Sequence, residues 1–169
     1  MDKNVVLIGF MGCGKSSVGK RLSEKTGYPL LDTDQLIEEE QKTTISEIFA
    51  SKGEEAFRQM ETKMLQKLGK TEPGFVISTG GGLPTRDENI SWLKALGTVV
   101  YLKVSPEVVY ERLKGDTKRP LLQGDNPMEK ICTLMSAREQ KYQNCADVIL
   151  DVSQKSFDEI VDAIIKETT

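Results

Sequence analysis

The sequence predicts an α/β protein of three layers, α-β-α, around a central five-stranded parallel sheet, and three observations carry that prediction. Five short apolar runs, at residues 5–8, 30–31, 75–79, 98–102 and 146–150, alternate with stretches whose apolar residues recur at helical spacing. Strands separated by helices are joined by crossovers, which makes them parallel and places helices on both faces. The first run, Val5-Val6-Leu7-Ile8, is β-branched and apolar throughout, as suits a strand buried on both sides. Finally, a chain of 169 residues with no repeat, linker or low-complexity segment reads as one domain over residues 1–169.

After the first strand comes Gly9-Phe10-Met11-Gly12-Cys13-Gly14-Lys15-Ser16-Ser17, which spells the phosphate-loop pattern G-x-x-x-x-G-K-[ST]. Its glycines let the backbone curl so that N–H groups point at a phosphate, and the helix that follows, 15–25, adds the positive end of its dipole. Lys15 would reach the β and γ phosphates, and the Ser16 hydroxyl would ligate magnesium. A dinucleotide fingerprint fails, because its third glycine would have to stand where Ser17 does. The ligand expected is therefore a nucleoside triphosphate.

Gly27 stops the first helix, and Leu30-Leu31 leads to Asp32-Thr33-Asp34 at a strand end, where open α/β sheets bind ligands. Two apart in an extended chain, both carboxylates can face one way. Alternatively, one of them caps a helix over 35–41. Thr44-Ile45-Ser46-Glu47 reads as a capping box that opens a further helix, ended by Gly53. Over 54–68 the residues Phe57, Met60, Met64, Leu65 and Leu68 form an apolar stripe, and Glu54 and Glu61 stand four before and three after Arg58, placed to hold its guanidinium.

The third strand runs into Gly80-Gly81-Gly82, and three glycines at a strand end suggest close approach of a ligand to the main chain. Pro84 and a Thr85-x-x-Glu88 capping box follow. No acidic residue ends the third or fourth strand, which leaves Asp32 as the best second metal ligand. Ser105-Pro106 starts a helix carrying Arg112. Residues 114–126, with Gly115, Lys118, Arg119, Pro120 and Gly124, are too long for a tight connection and read as a lid or a surface loop. Asn126-Pro127 starts the helix of Arg138 and Tyr142, and Ser156-x-x-Glu159 caps the last amphipathic helix.

Composition narrows the function classes. The chain has no histidine, which removes the usual general base and any Ser-His-Asp or Cys-His mechanism. Three cysteines without metal-ligand spacing fit a reduced compartment. A net charge of −3 with pI near 5.2 argues against a nucleic-acid partner. No apolar run approaches spanning length and no secretion signal opens the chain, so a cytoplasmic location away from membranes is expected. Signalling GTPases are excluded because neither D-x-x-G nor N-K-x-D occurs.

With the phosphate loop, Leu31-Asp32-Thr33-Asp34, Phe57-Arg58, Gly80-Gly81-Gly82, Arg119-Pro120-Leu121-Leu122 and Arg138 in this order, the chain resembles the shikimate kinases, essentially end to end. The resemblance implies a P-loop NTPase fold with a mobile lid at about 114–126 and a substrate-binding helical region at about 34–61. It implies ATP-dependent phosphorylation of the 3-hydroxyl of shikimate, giving shikimate 3-phosphate and ADP on the way to chorismate and the aromatic amino acids. The implied cofactor is Mg²⁺, with ATP as co-substrate, in a monomer. It further implies that Lys15, Asp34 and Arg119 are catalytic. Gly12, Cys13, Gly14, Lys15, Ser16, Ser17, Arg112, Arg119 and Ser153 would bind ATP. Asp34, Arg58, Gly80, Gly81, Gly82 and Arg138 would bind shikimate, the two arginines gripping its carboxylate. Ser16 would hold the metal directly and Asp32 through water. A kinase for another hydroxylated acid, such as gluconate, would keep the phosphate loop without needing the Arg58, glycine-triplet and Arg138 set.

Overall fold

A computed structural model describes residues 3–114 and 124–169. Its five strands, β1 (Asn4–Ile8), β2 (Leu30–Asp32), β3 (Val76–Ser78), β4 (Gly97–Lys103) and β5 (Val148–Asp151), form one parallel sheet in the order β2-β3-β1-β4-β5. Every residue of β1 is buried, as its unbroken apolar run requires of a central strand with helices on both faces. From β1 the chain first crosses to β2 and β3 on one side and then returns to β4 and β5 on the other. Open α/β sheets bind ligands at such a reversal, beyond the carboxyl ends of the strands.

Helix α1 (Lys15–Thr26) packs on β1, β2 and β3 and against the last helix, α8 (Phe157–Thr168), which is tied to it by Arg21–Asp158 and Lys25–Asp162 ion pairs. Opposite them, α5 (Ile90–Leu96) lies on β1 and β4, and α7 (Pro127–Cys145) on β4 and on α6 (Pro106–Leu113). Beyond the β2 edge, α2 (Thr33–Gln41), α3 (Ile45–Lys52) and α4 (Glu54–Leu68) pack on one another and build the wall that carries Arg58.

Where local chemistry decides an element, the expectation holds. Gly27 takes the left-handed conformation at the end of α1, at φ 79°, and its N–H returns to the Ser23 carbonyl. The Ser156 and Glu159 capping box is complete on α8, and Ser105 caps α6 with Pro106 in the first turn.

Three local readings need correction. Helix α2 starts at Thr33 rather than 35, because Asp32 Oδ1 accepts the N–H groups of Asp34 (2.9 Å) and Gln35 (3.2 Å). Asp34 therefore stands on the first helical turn, and the two carboxylates do not share an extended chain. Thr85 does not cap a helix with Glu88. Its hydroxyl donates to the Gly82 carbonyl, and two 3₁₀ turns, Leu83–Thr85 and Asp87–Asn89, precede α5. Buried Asn89 fixes that stretch by donating to the Leu83 carbonyl (2.9 Å) while accepting from Thr62 (2.7 Å). At α7, Asn126 makes no side-chain cap, although Pro127 holds the first turn as foreseen.

Candidate active site

The phosphate loop curls beyond the end of β1. Gly12 and Gly14 adopt φ 80° and 95°, values that side-chain-bearing residues rarely take, and a Cβ on Gly14 would meet the Phe157 ring at 2.9 Å. Lys15 bends back over the loop, its Nζ donating to the carbonyls of Gly9 (2.5 Å) and Phe10 (3.3 Å). The loop opens into a cavity of about 360 Å³ whose walls include Gly12, Gly14, Lys15, Ser16 and Ser17. Asp32, Asp34, Gly80 and Gly81 close its far side, and Arg112 flanks it while donating to the Gly12 carbonyl (2.9 Å). Two residues expected at the nucleotide stand elsewhere. Cys13 is fully buried, with its backbone N–H turned to the Phe10 carbonyl, and the Ser153 hydroxyl accepts the Ser105 amide outside the cavity wall. Arg119 and most of the expected lid at 114–126 lie outside the described residues.

A second cavity, also about 360 Å³, has Arg58, Arg86 and Arg138 in its walls. Helix spacing fixes Arg58 as the sequence foresaw: Nη1 meets Glu61 Oε1 at 2.6 Å and Nη2 meets Glu54 at 3.5 Å. Arg138 arrives from α7 and lies over the Phe10 ring, 5.7 Å from its centroid. Arg86 is engaged by Glu55 and Glu88.

The glycine triplet stands between the two cavities. None of its three residues needs a positive φ, so the reason for glycine is space. A Cβ on Gly80 would stand 2.6 Å from Asp34 Oδ1 and 3.0 Å from Glu61 Oε2, and one on Gly82 would overlap the Arg58 guanidinium. One on Gly81 would approach Arg138 Nη1 to 3.4 Å. Four charged side chains from three helices thus converge on one bare stretch of main chain. That refines the expectation of close ligand approach, since the site's own side chains already press on this backbone.

Burial and the neighbouring Asp32 carboxylate push the Asp34 carboxyl up to about 6, against the opposing pull of Lys15. Burial likewise pushes Glu61 up to about 7, with Arg58 opposing. Asp34 Oδ1 and Glu61 Oε2 are buried side-chain oxygens without a hydrogen-bond partner among the described residues.

The family model described as "SKI: Shikimate kinase" matches residues 11–169. The chain belongs to the shikimate kinase family. A shikimate kinase of Thermodesulfovibrio yellowstonii is 46% identical over 165 residues, covering 98% of this chain and 94% of that protein. One of Geobacter sulfurreducens is 45% identical over 162 residues, or 96% and 88%. Among solved structures, a shikimate kinase from Acinetobacter baumannii in complex with shikimate superposes with a TM-score of 0.89 at 36% identity, covering 98% of this chain and 92% of that one.

In this shikimate kinase chain, sequence reasoning missed several residues that shape the site. Tyr142 donates from its hydroxyl to the Gly81 carbonyl (2.7 Å), and Thr33 Oγ1 accepts the Gly80 N–H (3.1 Å). Tyr142 follows Arg138 by four residues and so shares its helix face, a signal that was available. Nothing local marks Thr33 or the ring of Phe157, 5.5 Å from the Arg112 guanidinium.

Proposed function

We propose that the chain transfers the γ-phosphoryl group of ATP to the 3-hydroxyl of shikimate, releasing shikimate 3-phosphate and ADP, a step of chorismate and aromatic amino acid biosynthesis. One observation carries this reading. Lys15 and Asp34 share one cavity, Arg58 and Arg138 share the next, and the glycine triplet packs against Asp34 on one side and both arginines on the other. A substrate with a carboxylate at one end and a hydroxyl row at the other fits such a layout, the arginines taking the carboxylate by charge-assisted hydrogen bonds.

In that reaction Lys15 exchanges its loop carbonyls for the β and γ phosphates. The 3-hydroxyl oxygen attacks the γ-phosphorus, the bond to the β–γ bridging oxygen breaks, and the hydroxyl proton passes to Asp34. A carboxyl held near 6 is mostly ionised at neutral pH yet basic enough to accept that proton. Arg112 serves the adenine end, Arg119 the transferring phosphate, and the loop amides of Gly12, Gly14 and Ser17 the phosphate oxygens.

Ser16 and Asp32 line the same cavity and offer hard oxygen donors, which suits Mg²⁺. They would hold it directly and through water respectively, and the ion would supply charge neutralisation on the phosphates. A protein cage is not needed, since Mg²⁺ keeps waters and takes phosphate oxygens. No helix among the described residues is long and apolar enough to cross a membrane. We place the enzyme in the cytoplasm as a monomer that works on small molecules rather than nucleic acid.

The test is a coupled ADP-release assay with MgATP and a panel of hydroxy acids. Shikimate should be preferred over gluconate by orders of magnitude in kcat/KM, because only shikimate meets both ends of the site. Equal turnover of the two would overturn the assignment.

A further inference from the structure

Glu61 is a fully buried carboxyl. One of its oxygens accepts Arg58 Nη1 at 2.6 Å, while the other, Oε2, is buried without a hydrogen-bond partner among the described residues. That second oxygen lies within 3.0 Å of the point where a Gly80 Cβ would stand, and Asp34 Oδ1 lies within 3.0 Å of the same point. The charged groups that face Glu61 are Arg58 from its own helix, Arg138 from α7 and Asp34 from α2. Around them, Arg86 is engaged by Glu55 and Glu88, Glu38 accepts the Ile45 N–H, and Glu47, Lys52 and Lys94 are exposed.

The Arg58 guanidinium is thus already spoken for before a substrate carboxylate arrives. Two carboxylates on one arginine, in a buried site with a third carboxyl close by, repel each other strongly. The repulsion is relieved when one of them becomes neutral. A substrate carboxylate ionises at a low pH and stays an anion, so the group that gives way is the one whose burial already favours its neutral form.

We propose that Glu61 is a proton-accepting positioning residue of the carboxylate subsite. Ionised, it aligns Arg58. When a substrate carboxylate claims that guanidinium, Glu61 takes one proton from solvent, forming an O–H bond, and substrate binding consumes that proton. The proposal rests on the reading that Arg58 grips the substrate carboxylate. It also follows that affinity weakens as pH rises above about 7, by up to about tenfold per unit.

Calorimetric titration of shikimate into the nucleotide-free protein at pH 7.5 to 8, in buffers of differing ionisation enthalpy, counts the protons taken up. The wild type should take up close to one proton per site at the upper end of that range, and E61Q close to none, with an affinity nearly flat in pH. Without histidine, no imidazole in the chain can supply the uptake. Equal uptake in wild type and E61Q, or none in the wild type, would overturn the proposal. A Glu61 that served only to hold Arg58 would change affinity in E61Q by the same factor at every pH, which would also overturn it. Should E61Q not fold, the wild type decides, because its uptake must fall away below pH about 6, where Glu61 is already protonated. Failure of the underlying reading looks different: R58A would bind shikimate as tightly as the wild type does.

Discussion

At the scale of single residues, the site depends on two kinds of position. In the proposed reaction Asp34 acts by charge, and exchanging its carboxylate for an amide would remove the proton acceptor while keeping the shape. Asp34→Asn should lower kcat by about 10²- to 10⁴-fold and leave ATP affinity, read by fluorescent nucleotide displacement, within a few-fold. Gly80 acts by absence. Gly80→Ala forces Asp34 and Glu61 off their positions and should cost about 10²-fold in kcat/KM for shikimate, because misplacement of a reacting group by about an ångström has that effect. Gly81→Ala, with 3.4 Å to Arg138, should cost far less. Comparable losses in the two alanine variants would show that space for Asp34 and Glu61 is not the reason for the first glycine. The phosphate-loop residues and the Glu54-Arg58-Glu61 brace were legible in the sequence, because loop chemistry and helix spacing are local. The reason for Gly80 and Gly82 was not, since the side chains they accommodate come from residues 19 or more positions away.

Among the elements, the N-terminal ends of the three central strands are held by one residue that sequence reasoning passed over. Asn4, nearly fully buried, accepts the N–H groups of Gly74 (2.8 Å) and Phe75 (2.9 Å) and donates to the Leu96 carbonyl (3.0 Å). Its side chain therefore ties the start of β1 to the entries of β3 and β4. Asn4→Ala leaves two amides and a carbonyl unsatisfied and should destabilise the fold by at least about 2 kcal/mol, measured by urea denaturation. A loss under about 0.5 kcal/mol would mean that water replaces the side chain freely. The helices were legible where a cap or a glycine stop announces them. The stretch between β3 and α5 was misread because a Thr-x-x-Glu pattern looks the same whether or not the chain is free to begin a helix there.

For the whole molecule, the buried carboxyls link stability to pH. Asp34 and Glu61 are raised from about 4 in the unfolded chain to about 6 and about 7 in the folded one. A raised carboxyl contributes stability that is fully present below its unfolded value and is lost as pH rises through its folded value. The ligand-free protein should therefore lose this contribution between pH of about 4 and about 7, and its Tm should fall from pH 5.5 to 8. Glu61→Gln should flatten that fall. Asp151, held low by the Ser153 amide, acts in the opposite sense and only at acid pH, below about 4. A Tm that rises from pH 5.5 to 8 would contradict the account.

The position of β1 has a consequence for how the chain comes into being. Of the five strands in the sheet β1 is made first, it is apolar along most of its length, and both of its neighbours, β3 and β4, begin about seventy and ninety residues later. At a synthesis rate of about 5–20 residues per second, the strand waits roughly 4–20 s for both partners, and parallel pairing over such separations is slow in any case. During that interval a continuous apolar segment with unpaired amides and carbonyls is open to association with other nascent chains. The strand that anchors the catalytic loop in the finished enzyme is thus its most exposed liability during synthesis. Conditions that slow elongation midway through the chain should lower the soluble yield before they alter the activity of the molecules that fold.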